Sequence, residues 1–230
     1  MSSRLGYHPL EFVHLPTPLR EIHQAMLEVE NLDCVRGDRK LFGDLNLSLK
    51  PGTFLQVLGA NGSGKTSLLR ILCGLLAPAR GRIRWQGADI RSLGEDYFTA
   101  VTYIGHRGGI KEELTALENH RINNGLAGVE LSQEAALEHL GKMGLAGREY
   151  LPARLLSEGQ RRRLALSRLL SSSTSLWLLD EVLTSLDRAA ITLITSVIEA
   201  HLKNGGMAIV ATHQELNLAA GSFERQQLTL

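Results

Sequence analysis

Eight consecutive residues, Gly59-Ala60-Asn61-Gly62-Ser63-Gly64-Lys65-Thr66, match the spacing G-x-x-x-x-G-K-[ST] in full. That spacing suits one kind of chemistry. Gly59, Gly62 and Gly64 let backbone N–H groups curl around phosphate oxygens with no Cβ in the way. The ammonium of Lys65 has the reach for β- and γ-phosphates, and the hydroxyl of Thr66 suits Mg²⁺. A helix starting here adds the positive end of its dipole, with Ser67 next in line. The bland alternative is a chance glycine-rich turn. An apolar strand leading in, Phe54–Leu58, and a helix leading out, Thr66–Leu75, argue against it.

Two further segments carry groups that chemistry on a phosphate would need. Leu176-Trp177-Leu178-Leu179-Asp180-Glu181 is an apolar strand ending in two carboxylates. Alternation along a strand points them to opposite faces, so Asp180 suits the Mg²⁺ shell and Glu181 a general base on water. Alone, this would read as an ordinary strand end exposing acids to solvent. Leu156-Ser157-Glu158-Gly159-Gln160 precedes the basic run Arg161-Arg162-Arg163. A Ser and a Gly at a helix start make an anion site, although a capped surface helix with solvated arginines has the same pattern.

These groups need elements to hold them. Alternating or compact apolar runs predict strands at Leu27–Leu32, Leu45–Leu49, Thr53–Leu58, Arg82–Trp85, Val101–Ile104, Leu176–Leu179 and Met207–Ala211. The early ones alternate like half-buried antiparallel strands. Those at Val57, Leu178 and Ile209 are continuously apolar, as strands covered on both faces are. Helices are expected at Lys65–Leu75, Ser132–Met143, Gly159–Leu170 and Arg188–Lys203, the last closed by Gly205-Gly206. The order predicts an α/β core with a mainly helical insertion from about Leu114 to Ser173.

Composition narrows the class. The 230 residues, 43% of them hydrophobic, suffice for one large core, or one core with a smaller lobe. Lys and Arg number 25 against 24 acidic residues, so no basic field recommends nucleic acid as a partner. Cys34 and Cys73 form neither a disulfide framework nor a metal cluster, and suit a reducing compartment. No apolar run approaches the roughly 18 to 20 residues of a membrane-spanning helix. If the chain serves transport, another polypeptide supplies the pathway. Residues 1–25 hold Pro16, Pro18 and no sustained period, which predicts a loose tail and places a plausible native start at Met26.

In order and spacing, the phosphate loop, the LSxGQ-type segment, the strand ending in Asp-Glu, Ser185-Leu186-Asp187 and the later His213 resemble the ABC ATPase nucleotide-binding domain from Leu27 onward. The resemblance implies an α/β P-loop NTPase with a RecA-like core, an antiparallel β subdomain and a helical signature subdomain at about 112–173. It implies ATP and Mg²⁺ as ligands and a homodimer closing over them. Ser157, Gly159 and Gln160 would meet the nucleotide held by the loop of a second copy. Asp187 would lie between the two sites, and His213 would contact the γ-phosphate.

Tyr103-Ile104-Gly105-His106, Gly109-Ile110-Lys111 and Leu114-Thr115-Ala116-Leu117-Glu118-Asn119 narrow the branch. With Arg36-Gly37, they look like the ATP-binding subunit of bacterial cytochrome c maturation systems. That resemblance implies a peripheral protein on the cytoplasmic face of the inner membrane, partnered by integral membrane subunits and coupling hydrolysis to haem export or to release of a haem-loaded chaperone. Alternatives are an ABC ATPase serving another substrate, or a soluble one such as an Fe–S assembly ATPase. Three departures from the family pattern stand out. By that resemblance His106 is a catalytic candidate where a Gln usually links Mg²⁺ or the lytic water to the membrane partner, Arg36 falls where an aromatic stacks on adenine, and Val182 where Pro follows the base. An Arg guanidinium can stack through its plane, and loss of Pro is expected to loosen the turn after Glu181.

Overall fold

The computed structural model describes residues 27–106, 108–213, 216, 218–219 and 223–230. The expected tail and the start at Met26 lie outside the described residues.

Two sheets form the frame. In the first, β1 (Leu27–Arg36), β2 (Arg39–Leu49), β4 (Arg80–Trp85) and β5 (Ala88–Asp89) are antiparallel in the order β2-β1-β4-β5. Between β2 and β4 come β3 (Thr53–Leu58) and α1 (Lys65–Leu72). The second sheet is parallel, order β6-β7-β8-β3-β9, with β6 at Val101–Ile104, β7 at Leu176–Asp180, β8 at Met207–Ala211 and β9 at Glu224–Thr229. Two short helices, α2 (Ile90–Leu93) and α3 (Glu95–Thr99), lead into β6.

Alternation, shifted in phase by an irregularity between Val29 and Leu32, explains the burial along β1. On β1, Leu27, Val29, Leu32 and Cys34 are buried while Asn31 and Val35 are exposed. β7 and β8 are buried at every residue because each packs on both faces. Leu176 and Leu178 join one apolar cluster with α1 and the antiparallel sheet. Trp177 and Leu179 join the other, with the helical region.

The helical region contains α4 (Ala116–Leu126), α5 (Gln133–Lys142) and α6 (Glu158–Leu166), before α7 (Arg188–Lys203) returns to the core. Thr115 opens α4 with a capping box, in which its hydroxyl accepts from the N–H of Glu118 and the Glu118 carboxylate accepts from the N–H of Thr115. Asn119, almost wholly buried, clamps the preceding loop. Its Oδ1 accepts from the N–H of Lys111 at 2.8 Å, and its amide donates to the carbonyls of Lys111, Leu114 and Thr115. The Leu114–Asn119 segment is thereby accounted for as local architecture.

A second buried polar chain joins these helices. The Ser167 hydroxyl donates to the Leu164 carbonyl and lies 2.7 Å from His120 Nδ1. His120 Nε2 in turn lies 3.2 Å from His139 Nδ1.

Several boundaries differ from expectation. The helix after the loop ends at Leu72, where Cys73 and Gly74 bond back to carbonyls of its last turn. The expected helix Gly159–Leu170 divides into α6 and a 3₁₀ turn, Ser167–Leu170. The edge strand β9, a polar sequence, went unrecognised.

Candidate nucleotide site

β3, β7 and β8 run parallel, so their carboxyl ends share one edge of the sheet. Binding sites of open α/β sheets sit at that edge. The chain leaving β3 forms the loop Gly59–Thr66, β7 ends at Asp180, and His213 follows β8. Backbone bonds lock the three together: the N–H of Glu181 donates to Ala211 O at 2.9 Å, and that of Thr212 to Val57 O at 3.2 Å.

Within the loop, Gly59 has φ +153° and Gly64 φ +116°. A Cβ on Gly59 would lie 2.6 Å from Ser63 Oγ, and one on Gly64 would lie 3.0 Å from the Phe42 ring. Both positions therefore need glycine for space as well as for backbone freedom. Lys65 is buried, and its Nζ donates to Gly59 O at 2.7 Å and Ala60 O at 3.1 Å. Its ammonium stands 3.6 Å from Glu181 Oε1, whose other neighbour is His213 Nε2 at 3.1 Å.

The Thr66 hydroxyl donates to Asp180 Oδ1 at 3.0 Å, and Tyr103 Oη donates to Asp180 Oδ2 at 3.4 Å. A hydroxyl and a wholly buried carboxylate, both hard oxygen donors, are the ligands Mg²⁺ prefers. Two buried polar atoms beside them, Ser63 Oγ and Glu181 Oε1, make no hydrogen bond among the described residues. Unsatisfied buried polar groups are rare, and here they edge the glycine-rich cradle. The set fits a phosphate with its divalent cation.

The two carboxylates do not diverge by strand alternation, as expected from the sequence. β7 stops at Asp180, and Glu181 takes the left-handed backbone, φ +52°, which turns its side chain toward Lys65 and His213. Nor does Val182 leave this turn loose. Its side chain is fully buried in the core, and the Thr184 hydroxyl donates to Glu181 O at 2.8 Å.

Ser157 caps α6, accepting from Gln160 N at 3.2 Å, while Gln160 Oε1 accepts from Ser157 N at 2.9 Å. The Gln160 side chain is thus engaged in the cap, whereas the Ser157 hydroxyl keeps its own proton to donate. Gly159 packs on the backbone of Ser185, and Asp187 caps α7 by accepting from Ala190 N at 2.8 Å.

Two expected residues sit differently. His106 is exposed, with Nδ1 3.5 Å from Arg162 Nη2, and the side chain that reaches Asp180 from this strand is Tyr103. Arg36 is exposed at the hairpin end, paired across it with Arg39, and Leu41 and Phe42 are the β2 side chains against the loop at Gly64. Sequence reasoning missed Tyr103 and Arg162. The signal for Tyr103 was its place on β6 beside Leu178, two residues before Asp180.

The ABC transporter family model matches residues 42–184. The cytochrome c biogenesis ATP-binding export protein CcmA of Nitrosospira multiformis is 57% identical over 203 residues, covering 88% of this chain and 98% of its own. Its counterpart in Nitrosomonas europaea is 56% identical, covering 87% and 92%. An ABC transporter ATP-binding protein from Pyrococcus furiosus superposes with TM-score 0.73 at 20% identity, over 89% of this chain and 98% of that one. A dimeric ATP-binding cassette in a post-hydrolysis state with ADP and Pi gives TM-score 0.71 at 24% identity, over 82% and 88%. With its parallel and antiparallel sheets and its phosphate loop, the chain belongs to the ABC transporter family of P-loop ATPases and, within it, to the cytochrome c biogenesis ATP-binding export proteins.

Proposed function

We propose that two copies of this chain close over two ATP molecules. In this reading hydrolysis drives the membrane subunits of a cytochrome c maturation complex at the cytoplasmic face of the inner membrane. The observation that carries the reading is the meeting of Lys65, Thr66, Asp180, Glu181 and His213 at one sheet edge. None of the helices among the described residues is long and apolar enough to cross a membrane, so the pathway falls to partner chains.

Each side chain has a distinct task. Lys65, with Gly59–Ser63, Gly64 and Ser67 around it, holds the β- and γ-phosphates. Thr66 and Asp180 would hold Mg²⁺, which neutralises phosphate charge when bound. Glu181 takes a proton from the attacking water, and His213, 3.1 Å from its Oε1, faces the γ-phosphate. Ser157 and Gly159 complete the site of the other copy, with Gln160 holding Ser157 in place. Asp187 lies between the two sites. Arg36 flanks the adenine, and His106 links the site to the membrane partner. Segment 112–173 acts as the signature-bearing unit, and haem export or release of a haem-loaded chaperone is the work done.

Glu181→Gln tests the base and the dimer together. The variant should bind ATP, elute as a dimer in its presence and hydrolyse it at least roughly a hundredfold more slowly, the scale of a lost general base. Parental turnover would move the base elsewhere. Co-purification with membrane subunits, followed by their identification, tests the branch.

A further inference from the structure

Arg162 is a buried cation on α6, one helical turn after the signature residues. Burial of a guanidinium costs several kcal/mol unless its donors are used. Here they go to neutral acceptors on two other elements. Nη1 donates to Gly105 O at 3.3 Å, and Nη2 donates to Thr184 Oγ1 at 3.2 Å and lies 3.5 Å from His106 Nδ1. The carboxylates of Glu158, Asp180 and Glu181 surround it at longer range and favour its charge. Thr184 accepts that bond and its own hydroxyl donates to Glu181 O at 2.8 Å. Glu181 is the residue held at φ +52°, where a side chain other than glycine's is strained. A strained backbone persists only where neighbours hold it, and this chain of bonds is one such hold.

We infer that Arg162 is a positioning residue for hydrolysis, bracing the turn at Glu181 through Thr184 and tying it to α6 and the His106 segment. The inference rests on Glu181 being the base. It adds a physical connection between two half-sites within one chain. α6 presents Ser157 to the partner's nucleotide, while the Glu181 turn serves the chain's own, so displacement of α6 displaces the base. Within the basic run after the signature, Arg162 is the buried arginine, while Arg161 turns back to Leu156 O at 3.0 Å.

The test is MgATP turnover by the full chain across nucleotide concentration, for Thr184→Val, Thr184→Ser, Arg162→Met and the Val/Met double variant. Thr184→Val and Arg162→Met should each lower kcat roughly ten- to a hundredfold, the scale of a displaced catalytic group, with KM unchanged because the loop is untouched. Thr184→Ser, which keeps the hydroxyl, should recover most of the loss. The double variant should be no slower than the worse single one, since both cut the same connection. Thr184 is exposed, so its variants keep the inference testable even if Arg162→Met does not fold. Melting temperature and binding of a fluorescent ATP analogue on the same samples identify misfolding. Parental kcat in Thr184→Val, a Ser variant as slow as the Val variant, or losses that multiply in the double variant would each overturn the brace. If Lys65→Ala and Glu181→Gln are inactive while Thr184→Val is parental, only the brace falls. If Lys65→Ala turns over ATP normally, the nucleotide-site reading falls first.

Discussion

The carbonyl oxygen of Ser185 lies 2.6 Å from the position a Cβ on Gly159 would take. The start of α6 and the loop toward Asp187 therefore touch backbone to backbone, and Ser185 is itself left-handed at φ +64°. Gly159→Ala would force that loop outward. It should lower stability by about 1–3 kcal/mol, as overpacking does, and reduce ATP turnover while leaving nucleotide affinity intact. Urea denaturation beside ATPase and binding assays decides the matter. An alanine variant as stable and active as the parent would mean that the contact yields to a methyl group.

The Thr66–Asp180 bond predicts a metal dependence. EDTA should abolish turnover. Thr66→Val, which keeps the shape but loses the hydroxyl, should raise the Mg²⁺ concentration for half-maximal activity on the order of tenfold or more. A Mg²⁺ titration at saturating ATP measures this, and an unchanged midpoint would remove Thr66 from the metal shell.

Asn119 holds the loop that precedes α4. Asn119→Ala leaves the Lys111 N–H and several loop carbonyls without their partner, at a cost of about 2–3 kcal/mol. The loss should appear in chemical denaturation, with KM for ATP unchanged. A shift in KM without a shift in stability would assign Asn119 to the nucleotide site instead.

Two buried histidines set a pH dependence of stability. Burial pushes His120 down to about 3, helped by the nearby His139 and Arg168, and pushes His201, stacked on Trp177, down to about 4. Because the unfolded chain binds protons near pH 6.5 and the folded chain does not, stability is full above that pH. It is lost as pH falls from about 6.5 toward 3 to 4. At pH 5.5 each histidine should cost about 1.4 kcal/mol relative to pH 7.5. Denaturation of the parent and of His201→Phe at pH 7.5 and pH 5.5 checks this, the Phe variant showing the smaller difference. Equal differences would mean that His201 charges freely in the fold.

Where one segment carries both the pattern and the role, the sequence was readable. The loop Gly59–Thr66 and the strand into Asp180 are local, and their neighbours in the chain are also their neighbours in space. β9 was not readable. Glu224–Thr229 is a polar edge strand whose place comes from pairing with β3, so it needs no apolar period. Asp180 and Glu181 meet different partners, but through the left-handed turn at Glu181 rather than strand alternation, because the strand ends at Asp180. Arg162 was illegible for a related reason. Its partners come from two other segments, and only the packing of α6 onto them separates it from Arg161 and Arg163.

β7 has a consequence for how errors are handled. Its first four side chains alternate between two separate apolar clusters, and Asp180 ends the series. A slip of one residue would send Trp177 to the side now filled by Leu176 and Leu178, and would turn Asp180 away from Thr66 at the same stroke. The ruler that sorts the core also aims the carboxylate. A copy whose carboxylate is misaimed is then also a copy that cannot close its core, so a misregistered strand costs stability as well as chemistry.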